Sequence, residues 1–417
     1  MQQVQASIIT IGDELLIGQV IDTNSAWMAQ QLNKEGIRVV RRVAVGDVWD
    51  EIWAALDEEQ KHADIILITG GLGPTADDIT KPLLCKYFNG QMIVHEESRQ
   101  RVVAMFTRLK RPLLEVNLKQ AEVPDVCTVL INKRGSAPGM VFNKDGKVFV
   151  SMPGVPHEMQ GLMTDDVIPL LVKKFSFPSI CHKTLLTSGI GESFLAELIK
   201  DFENALPAHI KLAYLPNYGL VRLRLTATGF DKEKNEKEIQ QLFDTLKILT
   251  KDYLVTDVDE PMQNVIGKLL VAKGKTMCTA ESCSGGYIAH LLTTIPGSSK
   301  FYDGSVISYS YQAKEDLLQV NKTTIETLGA VSEEVVIEMA KGALKNIKSD
   351  YVIAVSGIMG PQGGLPGKPV GTVWVAVGNN EKIETQKLYF PYDRMRNIQL
   401  TAANALNMLR KFILTEQ

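Results

Sequence analysis

The chain has 417 residues, of which 45% are hydrophobic and 22% charged, with a formal net charge of -3. That is enough for two or three domains with proper cores, and it excludes a basic nucleic-acid platform and an acidic tail. The five scattered cysteines exclude a disulfide framework and predict free thiols in a reducing compartment, with Cys278 and Cys283 best read as core or loop residues rather than a metal pair.

In chain order, SIITIG (residues 7–12) predicts a strand, followed by a helix over TNSAWMAQQLNKEG, with Thr23 or Asn24 as cap and Gly36 as stop. A strand (IRVVRRVAV), a helix (WDEIWAALDEEQKHA) and the apolar strand DIILITGG come next, then helices near 79–88 and over SRQRVVAMFTRLKRP. VFV and SMPGVPHEM give a strand, a turn and a helix start. This alternation predicts a parallel sheet with helices on both faces, closing near residue 170. A smaller α+β unit over 171–256 holds a strand pair around Asn217–Tyr218–Gly219 and a charged helix. A third, α/β domain runs from 257 to 417, with predicted strands TMCTA, GSVISYS, YVIAVSG, GTVWVAVG and IETQKLYF and a long final helix. The N-terminus lacks a secretory pattern and no apolar run is long enough to span a bilayer, so a cytoplasmic location is expected.

Chemistry concentrates first in AESCSGG, residues 280–286, where Ser282 sits beside two glycines at a helix start. A hydroxyl nucleophile needs a base and a place for a negative oxygen. SVISYSYQAK supplies Tyr309 and Lys314, a lysine able to act as base if burial lowers its pKa. Free backbone N–H groups between Cys283 and Gly286 are the expected oxyanion site. Cys283 is the rival nucleophile, but adjacent side chains do not readily share one site. The loop SGIMGPQGGLPGKPVG brings backbone toward a phosphate or planar ring through Ser356, Gly357 and Gly360, and Arg394 and Arg396 supply positive charge.

The second concentration is TGGLGPTADDIT, residues 69–80, following an apolar strand. Gly70, Gly71, Gly73 and Thr75 suit a phosphate-wrapping loop, and Asp77 and Asp78 sit where a divalent cation bridges carboxylate and phosphate oxygens. Asp13, Glu14, Asp22 and Asp47 are further carboxylates, although Asp22 and Asp47 serve equally well as helix caps.

These segments carry a resemblance that covers essentially the whole chain. AESCSGG, GSVISYSYQAK, GAVSEE, SGIMGPQGG and KPVGTVWVAV look like the C-terminal domain of the competence/damage-inducible CinA family, which is similar to nicotinamide-nucleotide amidohydrolases. GDELLIGQVIDTN, VAVGD, GGLGPTADDIT, SAPGM and MPGVPHEM resemble its molybdopterin-binding-like N-terminal domain. The resemblance implies a three-layer α/β/α first domain, a small α+β middle domain and a three-layer α/β amidohydrolase domain. It implies hydrolysis of nicotinamide mononucleotide to nicotinate mononucleotide and ammonia, with Ser282 as nucleophile and Tyr309 and Lys314 as activators. Nucleotide contacts are implied at Gly285, Gly286, Ser356 to Gly360 and Arg394. For the first domain it implies ADP-ribose hydrolysis to AMP and ribose 5-phosphate. Asp78 and Asp47 would be catalytic, Asn24 and the glycine loop would bind substrate, and Mg, Mn or Co would be held by Asp13, Asp77 and Asp78. No metal is expected at the amidase site, and a homodimer that binds small nucleotides rather than nucleic acid is expected. Ser284 and Ser356 stand where the family has threonine. Met359, where it has a small residue, is expected to add bulk to a ligand loop and alter substrate fit. A molybdopterin-handling protein with an accessory amidase, and a non-catalytic competence scaffold, are the alternative readings.

Overall fold

A computed structural model describes residues 4–75 and 78–416. The chain forms two compact units, one of Met1–Cys181 with Ala227–Lys237 and one of His182–Thr226 with Glu238–Gln417.

The first unit is built on strands β1 (Gln5–Ile11), β2 (Arg38–Val45), β3 (Ile65–Thr69), β4 (Met92–Val94), β5 (Glu122–Pro124), β6 (Thr128–Leu130), β7 (Gly139–Lys144) and β8 (Lys147–Met152). Six of them make one sheet in the order β2-β1-β3-β8-β7-β6, while β4 and β5 form a separate ribbon. The strands β2, β1, β3 and β8 are parallel, as the alternation predicts, but β7 pairs antiparallel with β8 and β6 antiparallel with β7. The reason is a tight hairpin at Asp145–Gly146, both at positive φ (50° and 77°), which reverses the chain between β7 and β8. Asp-Gly is a strong hairpin signal, here hidden in a short polar stretch.

Strand pleating explains why these strands are apolar throughout. Ala6 and Ile8 enter one core, with Met28, Leu32 and Met159, while Ile9 and Ile11 enter the other, with Ile52, Leu56 and Leu84. Helices cover both faces, so both residue sets are buried. Each such side chain contributes about 1.5–3 kcal/mol by leaving water. The Thr23–Lys34 helix is capped by Asp22, which accepts from Ser25 N–H at 2.9 Å, rather than by Thr23 or Asn24. That releases Asn24 for another role.

A four-stranded sheet, most of it in the second unit, has the order β10-β11-β9-β12, with β9 at Ser179–Ser188, β10 at Ile210–Asn217, β11 at Leu220–Gly229 and β12 at Leu254–Thr256. The second unit's larger sheet contains β13 (Met277–Glu281), β14 (Tyr302–Ile307), β15 (Tyr351–Gly357), β16 (Thr372–Gly378) and β17 (Ile383–Tyr389). Its order is β14-β13-β15-β16-β17, with the first three parallel, β16 antiparallel to β15 and β17 antiparallel to β16. Ile353 and Val355 enter one core with the Arg394–Thr415 helix, and Val352 and Ala354 enter the other with the Glu333–Ile347 helix. The three parallel strands therefore deliver AESCSGG, SYSYQAK and SGIMG to one edge of the sheet, where open α/β sheets bind ligands.

Candidate functional site

Ser282 follows β13 directly, and its N–H donates to Val355 O at 3.1 Å, which ties the turn to the end of β15. Lys314 lies one turn into the Tyr311–Leu318 helix, which is capped by Ser310. That helix aims the lysine inward: it is 1% exposed, with Nζ 2.8 Å from Ser282 Oγ and 2.7 Å from Ser308 O. Burial pushes its pKa down from the ordinary lysine value of 10.5 to about 8. At that value a substantial fraction is neutral amine near physiological pH. Nζ donates to both Ser308 O and Ser282 Oγ, and loss of one proton would leave a lone pair within reach of the Ser282 hydroxyl. The geometry is that of a serine activated by a lysine.

Tyr309 sits two residues beyond β14 and is largely exposed. Its hydroxyl accepts from Arg394 at 2.9 Å, and Arg394 also donates to Gly360 O at 2.9 Å. Among the described residues no hydrogen bond joins Tyr309 to Ser282 or Lys314. Tyr309, Arg394 and Gly360 thus form one cluster and Ser282 with Lys314 another. Arg396 joins neither: its guanidinium stacks 3.9 Å over Tyr392, and it lines a different cavity of about 710 Å³ with Tyr218 and Glu192. Ser356 is buried, its hydroxyl donating to Ala330 O at 2.7 Å, so it secures the loop from beneath. Gly357 lies where a side chain would meet Val373 and Thr372 O. Met359 is 3% exposed and packs in the hydrophobic core, with its carbonyl accepting from Asn397. Its bulk enters the core and not the ligand loop, correcting the expected effect on substrate fit.

Cys283 is excluded as the rival nucleophile by placement. It is 5% exposed, belongs to the same core, and burial raises its pKa to about 12, which suppresses the thiolate. The expected oxyanion donors are narrowed too. Gly285 N–H donates to Ser282 O and Gly286 N–H to Glu281 Oε2. Among the described residues the N–H groups of Cys283 and Ser284 meet no oxygen acceptor and have only the Cys283 sulfur beside them. Gly285 and Gly286 have φ of 61° and 93°, which let the turn double back into the Tyr287–Thr293 helix. Glu281 was missed by sequence reasoning, although an acidic residue just before a helix start is a recognisable signal.

In the first unit, a cavity of about 440 Å³ is lined by the Gly70–Gly73 loop, Glu14, Asp47, Asp78, Gly154 and Glu158. Asp78 shapes that loop: it accepts from Gly73 N–H at 2.7 Å, Thr75 N–H at 2.8 Å and Thr75 Oγ at 2.5 Å. Gly70 has φ 116°, and a side chain there would strike Ile11 O. Asp13 and Asp47 exchange backbone bonds, each N–H donating to the other's carboxylate at 3.2 Å, which joins the ends of β1 and β2. Asn24 Nδ2 donates to Gly154 O at 2.7 Å, while its Oδ1 is buried without a partner. Lys81, unnoticed in the sequence, is buried and donates to the carbonyls of Lys119, Gln120 and Glu122. Burial lowers its pKa to about 8.

Only two members of the expected metal set Asp13, Asp77 and Asp78 are described. Asp77 lies outside the described residues, and Asp13 and Asp78 are committed to different loops. Among the described residues no group of three or more His, Cys, Asp or Glu side chains gathers to hold an ion. Nor is any helix among them long and apolar enough to cross a membrane.

Family models match in the same order as these sites: the probable molybdopterin binding domain over 7–173, the damage-inducible protein CinA KH domain over 182–255, and the CinA C-terminal domain over 259–413. The chain is 43% identical over 408 residues to a CinA-like protein of Cytophaga hutchinsonii, covering 98% of each. It is 43% identical over 412 residues to a CinA-like protein of Flavobacterium psychrophilum, covering 98% of this chain and 99% of the relative. A CinA-like protein of Chloroherpeton thalassium is 42% identical over 416 residues, with 98% and 99% covered. With matches of that identity running almost end to end, and with a mixed α/β fold carrying a molybdopterin-binding-like first domain, the chain belongs to the CinA family.

Proposed function

We propose that the C-terminal domain is a serine amidohydrolase that converts nicotinamide mononucleotide to nicotinate mononucleotide and ammonia. The observation that carries this reading is the buried Lys314 amine 2.8 Å from Ser282 Oγ. Neutral Lys314 takes the hydroxyl proton as Ser282 attacks the carboxamide carbon. The oxygen that gains charge is received by the Cys283 and Ser284 N–H groups. Lys314 returns the proton to the leaving nitrogen, ammonia departs, and water, deprotonated by the same amine, hydrolyses the acyl-serine. Arg394, held between Tyr309 and Gly360, is the cation best placed to meet the nucleotide phosphate.

For the first domain, the proposal is hydrolysis of the ADP-ribose pyrophosphate to AMP and ribose 5-phosphate. The cavity bounded by the Gly70–Gly73 loop supports a polar ligand there, since its glycines let backbone groups approach closely. The described carboxylates do not by themselves gather into a divalent-metal set, and a requirement for an ion rests on the family resemblance.

Incubating the purified protein with both nucleotides, with and without chelator, tests the two assignments together. AMP formation is expected to stop on chelation while ammonia release continues. Equal loss of ammonia would contradict the metal-free reading of the amidase site, and chelator-resistant AMP formation would remove the metal requirement of the first domain. Asp78→Ala is expected to lower AMP formation at least about 10-fold, because Gly73 and Thr75 lose the carboxylate that shapes the loop, and to leave ammonia release unchanged.

A further inference from the structure

Glu281 is fully buried, yet its carboxylate is crowded with donors. Oε2 accepts from Ser284 Oγ at 2.7 Å and from the N–H groups of Gly286 and Ile288, each at 3.1 Å. Oε1 accepts from Ala289 N–H at 2.8 Å and Thr279 Oγ at 3.3 Å. A buried carboxylate needs such partners to offset its desolvation, and donors that converge on it are fixed in return.

The side chain therefore takes over the first amides of the Tyr287–Thr293 helix, which would otherwise face the site. It folds the turn back so that Ser282 stays against Lys314. The two amides it leaves without an oxygen acceptor are those of Cys283 and Ser284. Both lie on the side of the turn that follows the nucleophile, where a developing oxyanion needs donors. Ser284 is held through its hydroxyl, which donates to Glu281 Oε2.

We infer that Glu281 is the positioning residue of the acyl-transfer loop, selecting the Cys283 and Ser284 amides as the oxyanion donors and withdrawing the helix amides from that task. This rests on the amidohydrolase reading of Ser282 and Lys314. Glu281 touches neither substrate nor reacting atoms in this role. Its effect falls on the transition state, where misplaced donors lose charge stabilisation, rather than on ground-state binding of the nucleotide.

The test is Glu281→Gln, which keeps the side-chain volume but turns one acceptor into a donor that faces backbone N–H groups. Steady-state kinetics on nicotinamide mononucleotide should show kcat lowered about 10- to 1000-fold. KM should stay within about 3-fold, and the pH midpoint of kcat/KM should not move. Ser284→Ala, which removes a single bond to the carboxylate and retains the amide, should lower kcat about 2- to 10-fold, again without raising KM. It also reads the same effect if the Glu281 variant does not fold. Unchanged kcat in both variants would overturn the inference. So would a rise in KM matching the fall in kcat, or a displaced pH midpoint, since these mark general disorder or an effect on Lys314. Ser282→Ala measured alongside separates the two failures: full ammonia release by that variant would remove the amidohydrolase reading itself. Loss of activity there with wild-type kcat for Glu281→Gln would remove only the role of Glu281.

Discussion

Ser282→Ala is expected to lower kcat for ammonia release from nicotinamide mononucleotide by at least about 10⁴-fold, the scale seen when a covalent nucleophile is removed. The oxyanion donors and the nucleotide contacts remain, so KM should change little and residual activity should stay above that of water. Folding should be nearly intact. The lost hydroxyl is one acceptor for Lys314 Nζ, which keeps Ser308 O at 2.7 Å, and the cost is on the order of 1 kcal/mol. Mass spectrometry of the protein quenched during turnover should find an acyl adduct on the peptide containing Ser282 and none in the variant. An adduct on Cys283 instead would contradict both its burial and its raised pKa.

The second large effect concerns Lys314. The general base must be neutral, so kcat/KM should climb as pH rises through about 8, the value to which burial lowers this amine. Lys314→Met should abolish ammonia release at every pH, a loss of at least about 10³-fold, and should make the protein more stable. The sign follows from linkage. The folded-state pKa lies below the unfolded one, so the unfolded chain binds more protons in the window between them. The lysine therefore costs stability at and below about pH 8, and that cost is relieved as pH rises toward 10.5. Methionine fills similar space with no charge to bury, so the desolvation that lowers the lysine pKa is removed. Thermal unfolding at pH 7 and pH 10 checks it: the variant's advantage should shrink at the higher pH. A variant that keeps activity, or that is less stable at pH 7, would remove Lys314 as a buried base. This trade of stability for reactivity is what separates a functional lysine from a structural one.

The fold was largely legible because its strands and helices carry plain signals. DIIL and YVIAV are apolar on both faces, and the Thr23–Lys34 and Arg394–Thr415 helices are amphipathic with clear ends. The antiparallel strands β6 and β7 were not read, since three- and six-residue strands leave little periodicity. The helix at Lys322–Leu328 was missed for the same reason. At the site, residue types were legible and their partners were not. Arg394 and Arg396 are two residues apart and so project to different sides of one helix: one reaches Tyr309, the other stacks on Tyr392. Nothing local distinguishes them. Met359 reads as a loop residue in a glycine-rich segment, and only packing sends it into the core.

Composition, hydrophobic period and the motifs AESCSGG and TGGLGPTADDIT by themselves determined an α/β chain with a serine at one helix start and a phosphate-type loop at another, because strand pleat, helix pitch and glycine freedom are local properties. Which polar groups meet was decided only by the tertiary structure. The parallel pairing of β14, β13 and β15 sets Lys314 against Ser282 across 32 residues of sequence and buries both. The same burial lowers one amine and silences one thiol. Desolvation and hydrogen-bond partnership depend on what surrounds a side chain in space, and a linear order of residues does not contain that distance.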